Sequence, residues 1–138
     1  MSQIAKRDQK HMTANEKRSI IERFIDAYNR FDVDGMVGLM HPGCFFQNVS
    51  GQEITASARG LAEFRELAEK SKALFSSRSQ KAIGYEFEGE KVKVDIAFEG
   101  VLRADLPNGL KAGDVLRLEG RSVYGFQGGV IYRLTDYS

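Results

Sequence analysis

IIERFIDAYNRFDVDGMVGLMHPGCFFQN, residues 20–48, is the stretch whose reading decides the fold. Ile20, Ile21, Phe24, Ile25, Tyr28 and Phe31 recur at helical spacing, so they form one apolar stripe. Glu22, Arg23 and Arg30 fall on the opposite, solvated face. Asn29 to Asp32 reads as a tight turn. Asp32 is a suitable N-cap for a second, shorter helix, and Asp34 places negative charge in its first turn, where the helix dipole favours it. The second helix is expected to present Val33, Met36, Val37, Leu39 and Met40, although Gly35 and Gly38 weaken it. His41-Pro42-Gly43 is expected to stop it, because proline disfavours helical geometry at the residue before it. An aromatic strand, Cys44 to Val49, is expected to follow.

Working upstream, Thr13 and Glu16 have the spacing of a capping box, so the first helix is predicted from about Ala14 to Arg30. Met1 to Met12 is polar and unpatterned and reads as a flexible lead-in to one domain spanning residues 13–138. Downstream, Glu53 to Ala56 reads as a short return strand. A third helix, starting within Ser57 to Gly60 and reaching about Leu74, carries the stripe Leu61, Phe64, Leu67, Ala68 and Leu74, with Glu66 and Lys70 spaced to pair outside. Ser76 to Gln80 is polar. Strands are expected over Ala82–Phe87, Val92–Ala104, Val115–Phe126 and Val130–Tyr137, separated by turn sequences. Gly100 breaks the alternation of the second of these and suggests a bulge or bend. Helices first and a strand meander afterwards is an α+β order, in which the helices cover one apolar sheet face.

Composition narrows the function classes. Twenty Lys and Arg against nineteen Asp and Glu leave a net charge of +1, with no electrostatic footprint for nucleic acid or an anionic membrane. No apolar run reaches membrane-spanning length, and the start of the chain lacks the apolar core of a signal peptide, so a cytoplasmic protein is expected. The one cysteine, Cys44, excludes an intrachain disulfide and reads as a small buried hydrophobe. His11 and His41 belong to no metal-ligand spacing, so no metal and no cofactor are expected.

The order of elements, together with NRFDVDGMVGLM (residues 29–40), the strand ending Gln47-Asn48 and the closing GGVIYRLTD (residues 128–136), resembles the nuclear-transport-factor-2-like superfamily. LPNGL (residues 106–110) with GRSVYGF (residues 120–126) is most similar to its SnoaL-like branch, named for polyketide cyclases. The resemblance runs from about Glu16 to Ser138. It implies a cone-shaped, curved antiparallel sheet wrapped around the N-terminal helices, an apolar pocket and a homodimer. The superfamily holds isomerases, cyclases, dehydratases and epoxide hydrolases, so the fold alone does not select a reaction.

Position by position, the resemblance removes steroid-isomerase chemistry. The place of the carboxylate base at the end of the first strand falls on Asn48, the place of the tyrosine donor on Phe24, and the place of the protonated aspartate on Ser122. Asp136 shares a face with Tyr132 and Leu134, and a carboxylate beside an apolar cavity gains a raised pKa suited to acid–base work. SnoaL-like cyclases pair an Asp with a His, and Asp136 with His41 is the pair available here, each weighed against a purely structural role. The expected ligand pocket comprises Phe24, Tyr28, Phe46 and Asn48, with Leu118, Ser122, Tyr124 and Tyr132 from the late strands. Asp95 and Arg121 suggest an epoxide-hydrolase-like charge array, but their alternation puts them on the outer face, where cross-strand pairing accounts for them. Two readings stay open: a cofactor-free acid–base enzyme for a small apolar or cyclic metabolite, and a non-catalytic binding or dimerisation module.

Overall fold

The computed structural model describes residues 11–138, so nearly all of the expected lead-in, Met1 to Met12, lies outside the described residues. Helix α1 is Ala14–Asn29 and opens on the expected capping box. Glu16 N donates to Thr13 Oγ1 at 3.1 Å, and Thr13 N donates to Glu16 Oε1 at 2.9 Å. Ile21, Phe24, Ile25 and Ala27 are its buried face. The C-terminal end is held by strand β3 (Phe75–Glu88). Asn29 Nδ2 donates to Gln80 O at 3.0 Å, and Gln80 N donates back to Asn29 Oδ1 at 2.7 Å. The last turn of α1 has no basic residue of its own, and Arg78 from β3 supplies one, its Nε donating to Tyr28 O at 2.9 Å.

Helix α2, Val33–Val37, is capped by Asp32, whose carboxylate accepts from Gly35 N at 2.9 Å. It ends three residues before the expected Met40. Met40 instead opens strand β1, Met40–Ser50, pairing with Ile131, and Ile131 N donates to Leu39 O at 2.9 Å. Two glycines leave this helix too weak to compete with a backbone ladder. His41-Pro42-Gly43 therefore lies within β1, where the pairing register jumps between Met40 and Phe45. The irregularity is what lets proline sit in a strand.

Strand β2, Glu53–Arg59, and helix α3, Gly60–Lys72, follow. The helix starts at Gly60, the last residue of the expected start, because pairing with β1 carries β2 past the expected Ala56 to Arg59. The expected outer pair is present, with Lys70 Nζ 3.5 Å from Glu66 Oε1. The polar run Ser76–Gln80, which precedes the expected strand Ala82–Phe87, belongs to β3 as well. β3 is an edge strand, so its backbone pairs on one side only and polar residues are tolerated there. Strands β4 (Lys91–Leu102), β5 (Val115–Gln127) and β6 (Val130–Tyr137) complete the sheet.

The strand order is β2-β1-β6-β5-β4-β3, so the sheet is unclosed. Four pairings are antiparallel. The fifth, β1 with β6, is parallel and joins the early hairpin to the late meander, making the sheet mixed. Helices α1 and α3 cover one face. Phe24 and Phe64 lie 6.3 Å apart between them, and Phe64 meets Phe46 of β1 edge-on at 5.7 Å. Below sit Val92, Val94, Tyr124, Ile131 and Leu134, each almost fully buried. Each such aliphatic or aromatic side chain contributes about 1.5–3 kcal/mol on burial, so this face is the main source of stability.

Gly100 is not a bulge. It keeps regular register with both Arg78 and Leu116. A Cβ there would lie 2.8 Å from the Phe75 ring and 2.9 Å from Phe98, so the glycine is the socket into which Phe75 packs. Cys44 is buried, and burial pushes its thiol pKa up, as suits an inert core residue. On the outer face, Arg121 meets Asp95 at 3.1 Å and Arg117 meets Glu99 at 2.7 Å, the expected cross-strand pairs.

Candidate functional site

The helices do not fill the concave sheet face completely. A cavity of about 450 Å³ remains between α1, α3 and the inner faces of β1, β6, β5 and β4. Its walls are mainly aromatic and aliphatic, with Phe24, Phe46, Phe64, Ile96, Phe98 and Tyr124 prominent. The polar part follows from register. Across the sheet, Ala56, Asn48, Asp136, Ser122 and Val94 are successive cross-strand partners, so their side chains share one face. The row one step along holds Ala58, Phe46, Leu134, Tyr124 and Val92, all on the same inner face.

Asp136 is therefore carried into the cavity wall by the alternation that buries Leu134. Ser122 Oγ donates to Asp136 Oδ1 at 2.7 Å. Burial raises the Asp136 pKa from 3.8 to about 6, with the Ser122 hydrogen bond acting in the opposite direction. Two tyrosines feel its charge. Burial pushes the Tyr28 hydroxyl above its ordinary range; Arg78 pulls the other way, and Asp136 adds to the rise. Tyr124 is pushed well above its ordinary range by burial first and by Asp136 second. Asn48 lines the same cavity, and its Nδ2 donates to Thr55 Oγ1 at 2.7 Å, which fixes the amide on the β1–β2 side.

Of the residues singled out from sequence, Phe24, Tyr28, Phe46, Asn48, Leu118, Ser122, Tyr124 and Asp136 line this cavity, Leu118 at its exposed rim. His41 and Tyr132 do not line it and pair with each other elsewhere, ring centroids 5.1 Å apart and edge-on. The reason for Tyr132 is a bulge. Arg133 pairs with Gly125 while Ile131 pairs with Phe126, so Tyr132 is the extra residue and Ile131 takes the core side. His41 sits in the irregular part of β1, where its Nδ1 accepts from Gly43 N at 2.9 Å. The Asp136–His41 pair expected from the resemblance is thus not brought together at the cavity.

The sequence reading missed the contribution of α3. Leu67, Ala68 and Ser71 line the cavity along with Phe64, and their helical stripe was legible, but not the gap it leaves. It also missed Arg78, which is buried on β3 and stacks over the Tyr28 ring at 3.7 Å. An arginine in a polar strand segment carries no local signal of burial. Among the described residues no three His, Cys, Asp or Glu side chains converge as a metal site, and no helix is long and apolar enough to cross a membrane.

A six-stranded unclosed sheet curled over two helices, with a buried carboxylate in the wall of a mainly apolar hollow, defines a protein of the cystatin-like, ketosteroid-isomerase-like fold class. More narrowly, the chain belongs to the SnoaL-like domain family, whose model matches residues 21–134. No curated protein sequence matches it. Among solved structures it is similar to a provisionally assigned polyketide cyclase from Xanthomonas campestris pv. campestris, with a TM-score of 0.78 and 19% identity over 90% of each chain. It is also similar to a protein of ketosteroid isomerase-like fold from Catenulispora acidiphila in complex with trimethylamine, with a TM-score of 0.71 and 13% identity over 86% of this chain and 84% of that one. An uncharacterized cystatin fold protein from Novosphingobium aromaticivorans gives a TM-score of 0.71 and 18% identity over 91% of this chain and 98% of that one. At these identities the likeness shows the fold.

Proposed function

We propose that this SnoaL-like protein is a cofactor-independent acid–base enzyme acting on a small, apolar, cyclic carbonyl compound, with Asp136 as the proton-transfer group. The observation that carries this reading is the Ser122–Asp136 pair in the wall of an aromatic cavity. A pKa of about 6 leaves Asp136 mostly ionised at neutral pH, yet far more basic than a solvated carboxylate. One carboxylate oxygen accepts from Ser122; the other is the acceptor for a proton from the carbon next to the substrate carbonyl. The electron pair of that C–H bond moves into an enolate, whose oxygen takes a hydrogen bond from a cavity hydroxyl, Tyr28 or Tyr124. Return of the proton to a different carbon completes an isomerisation; attack of the enolate carbon on a second carbonyl moves that carbonyl's π pair onto its oxygen, and the proton held by Asp136 passes to this alkoxide to complete a cyclisation.

Walls of Phe24, Phe46, Phe64 and Phe98 favour a flat apolar ring system. The family resemblance supports a homodimer, and a buried lone thiol suits the cytoplasm. The second reading, a non-catalytic binding module, is favoured by Asn48 and Phe24, neither of which can transfer a proton at the places where proton-transfer relatives carry their catalytic groups.

The test uses 2-tetralone, a fused bicyclic ketone with acidic α-protons, in deuterated buffer. NMR should show protein-catalysed α-proton exchange, reduced about 100-fold or more in Asp136→Asn. If the ketone binds and raises Tm equally in both proteins while exchange stays at the buffer rate, the enzyme reading fails and the binding-module reading stands.

A further inference from the structure

Arg78 is only 6% exposed, and among the described residues it has no carboxylate partner. Its Nη2 is buried with no hydrogen-bond partner among them. A buried, unpaired guanidinium is costly, and such a group is retained where its contacts matter. Four contacts are made. Nε donates to the main-chain oxygen of Tyr28 at 2.9 Å, the guanidinium lies over the Tyr28 ring at 3.7 Å, and it lies over the Phe31 ring at 4.6 Å. Nη1 reaches Ser71 Oγ at 3.5 Å, and Ser71 and Tyr28 both line the cavity.

Capping the end of α1 needs only the carbonyl contact. The stacking is additional. One planar cation contacts the same residue twice, by its backbone oxygen and by its ring face, so a turn of the ring would break the stacking. Helix α1 is itself pinned to β3 through Asn29 and Gln80, which makes the grip rigid. A cation over a phenol ring also draws electron density from it, which strengthens the O–H as a hydrogen-bond donor.

We propose that Arg78 is a positioning residue, holding Tyr28 so that its hydroxyl serves as the cavity's donor to a carbonyl or enolate oxygen of the ligand. This rests on the cavity being the site, as argued above, and narrows the ligand to one that presents such an oxygen on the Tyr28 side while its acidic carbon faces Asp136. Tyr124 remains the neighbouring hydroxyl, with no arginine over its ring among the described residues. The groups facing Tyr28 are Arg78 and Gln80 from β3 and Asp136 from β6.

The test reads Tyr28 directly and needs neither ligand nor turnover. A difluorinated tyrosine, which ionises at lower pH than tyrosine, is placed at position 28, and its phenolate absorbance is titrated with Arg78 intact, in Arg78→Met and in Arg78→Lys. Folding is checked by circular dichroism. Arg78→Met should raise the midpoint by about one unit or more, since an adjacent cation is removed. Arg78→Lys, which keeps the charge but not the stacked plane, should give a smaller rise. If Arg78→Met does not fold, the Arg78→Lys titration decides alone. An unchanged midpoint in a folded variant overturns the proposal and leaves Arg78 as a helix cap. Loss of 2-tetralone exchange in Asp136→Asn reports on the carboxylate, so the two readings fail independently.

Discussion

Ser122 on β5 and Asp136 on β6 are cross-strand partners, and the serine hydroxyl donates to the carboxylate at 2.7 Å inside the cavity wall. The pair is held by sheet register rather than by a loop, so its geometry is as rigid as the ladder around it. Removing the donor should therefore act on the acid directly. Ser122→Ala is expected to lift the Asp136 midpoint above its value of about 6, by about half a unit to one unit, because the hydrogen bond to the charged form is lost. A carbon-detected NMR titration of the side-chain carboxyl reads this. An unchanged or lowered midpoint would show that the bond does not stabilise the carboxylate.

Asp136 also links stability to pH. Its folded pKa, about 6, lies above the ordinary 3.8, so between these values the folded state holds a proton that the unfolded state has released. This contribution is fully present below the unfolded pKa and is lost as pH rises through the folded one. The ionised carboxylate then leaves the protein roughly 2–3 kcal/mol less stable at neutral pH than the protonated form allows. Asp136→Asn should thus be the more stable protein at pH 7, with the gap closing as pH falls towards about 4. Tm against pH for both proteins is the measurement, and parallel profiles would rule the linkage out.

Gly100 is a packing position. With Phe75 and Phe98 2.8 and 2.9 Å from the site of a Cβ, Gly100→Ala should lower stability by about 1–3 kcal/mol through overpacking. Phe75→Leu in the same chain should recover part of that loss, because it vacates the socket. A double-mutant cycle in urea tests this, and strictly additive effects would contradict the contact.

Helix α1 was readable to the residue at its start, because Thr13 and Glu16 cap it locally. Strands β4 to β6 were readable because successive residues alternate between an apolar and a more polar face. The same alternation put Leu134 and Asp136 on the inner side. It failed two residues away, where the bulge opposite Gly125 and Phe126 turns Tyr132 out and brings Ile131 in. The end of α2 was misplaced for a related reason. Local propensity cannot weigh a weak glycine-containing helix against pairing with a strand some ninety residues later in the chain. Ser76–Gln80 carries no strand pattern because an edge strand tolerates polar residues.

Periodicity, capping and turn chemistry depend on neighbours in sequence, and they were enough to specify the helices, most of the strands, the α+β class and the family resemblance. The parallel β1–β6 pairing, the separation of His41 from Asp136, the hydrogen bond from Ser122 and the burial of Arg78 over Tyr28 depend on residues distant in sequence. These features arise only when the sheet closes over the helices, since register, bulges and desolvation belong to the packed chain. What distinguishes Asp136 from an ordinary surface aspartate is its surroundings, and those exist only in three dimensions.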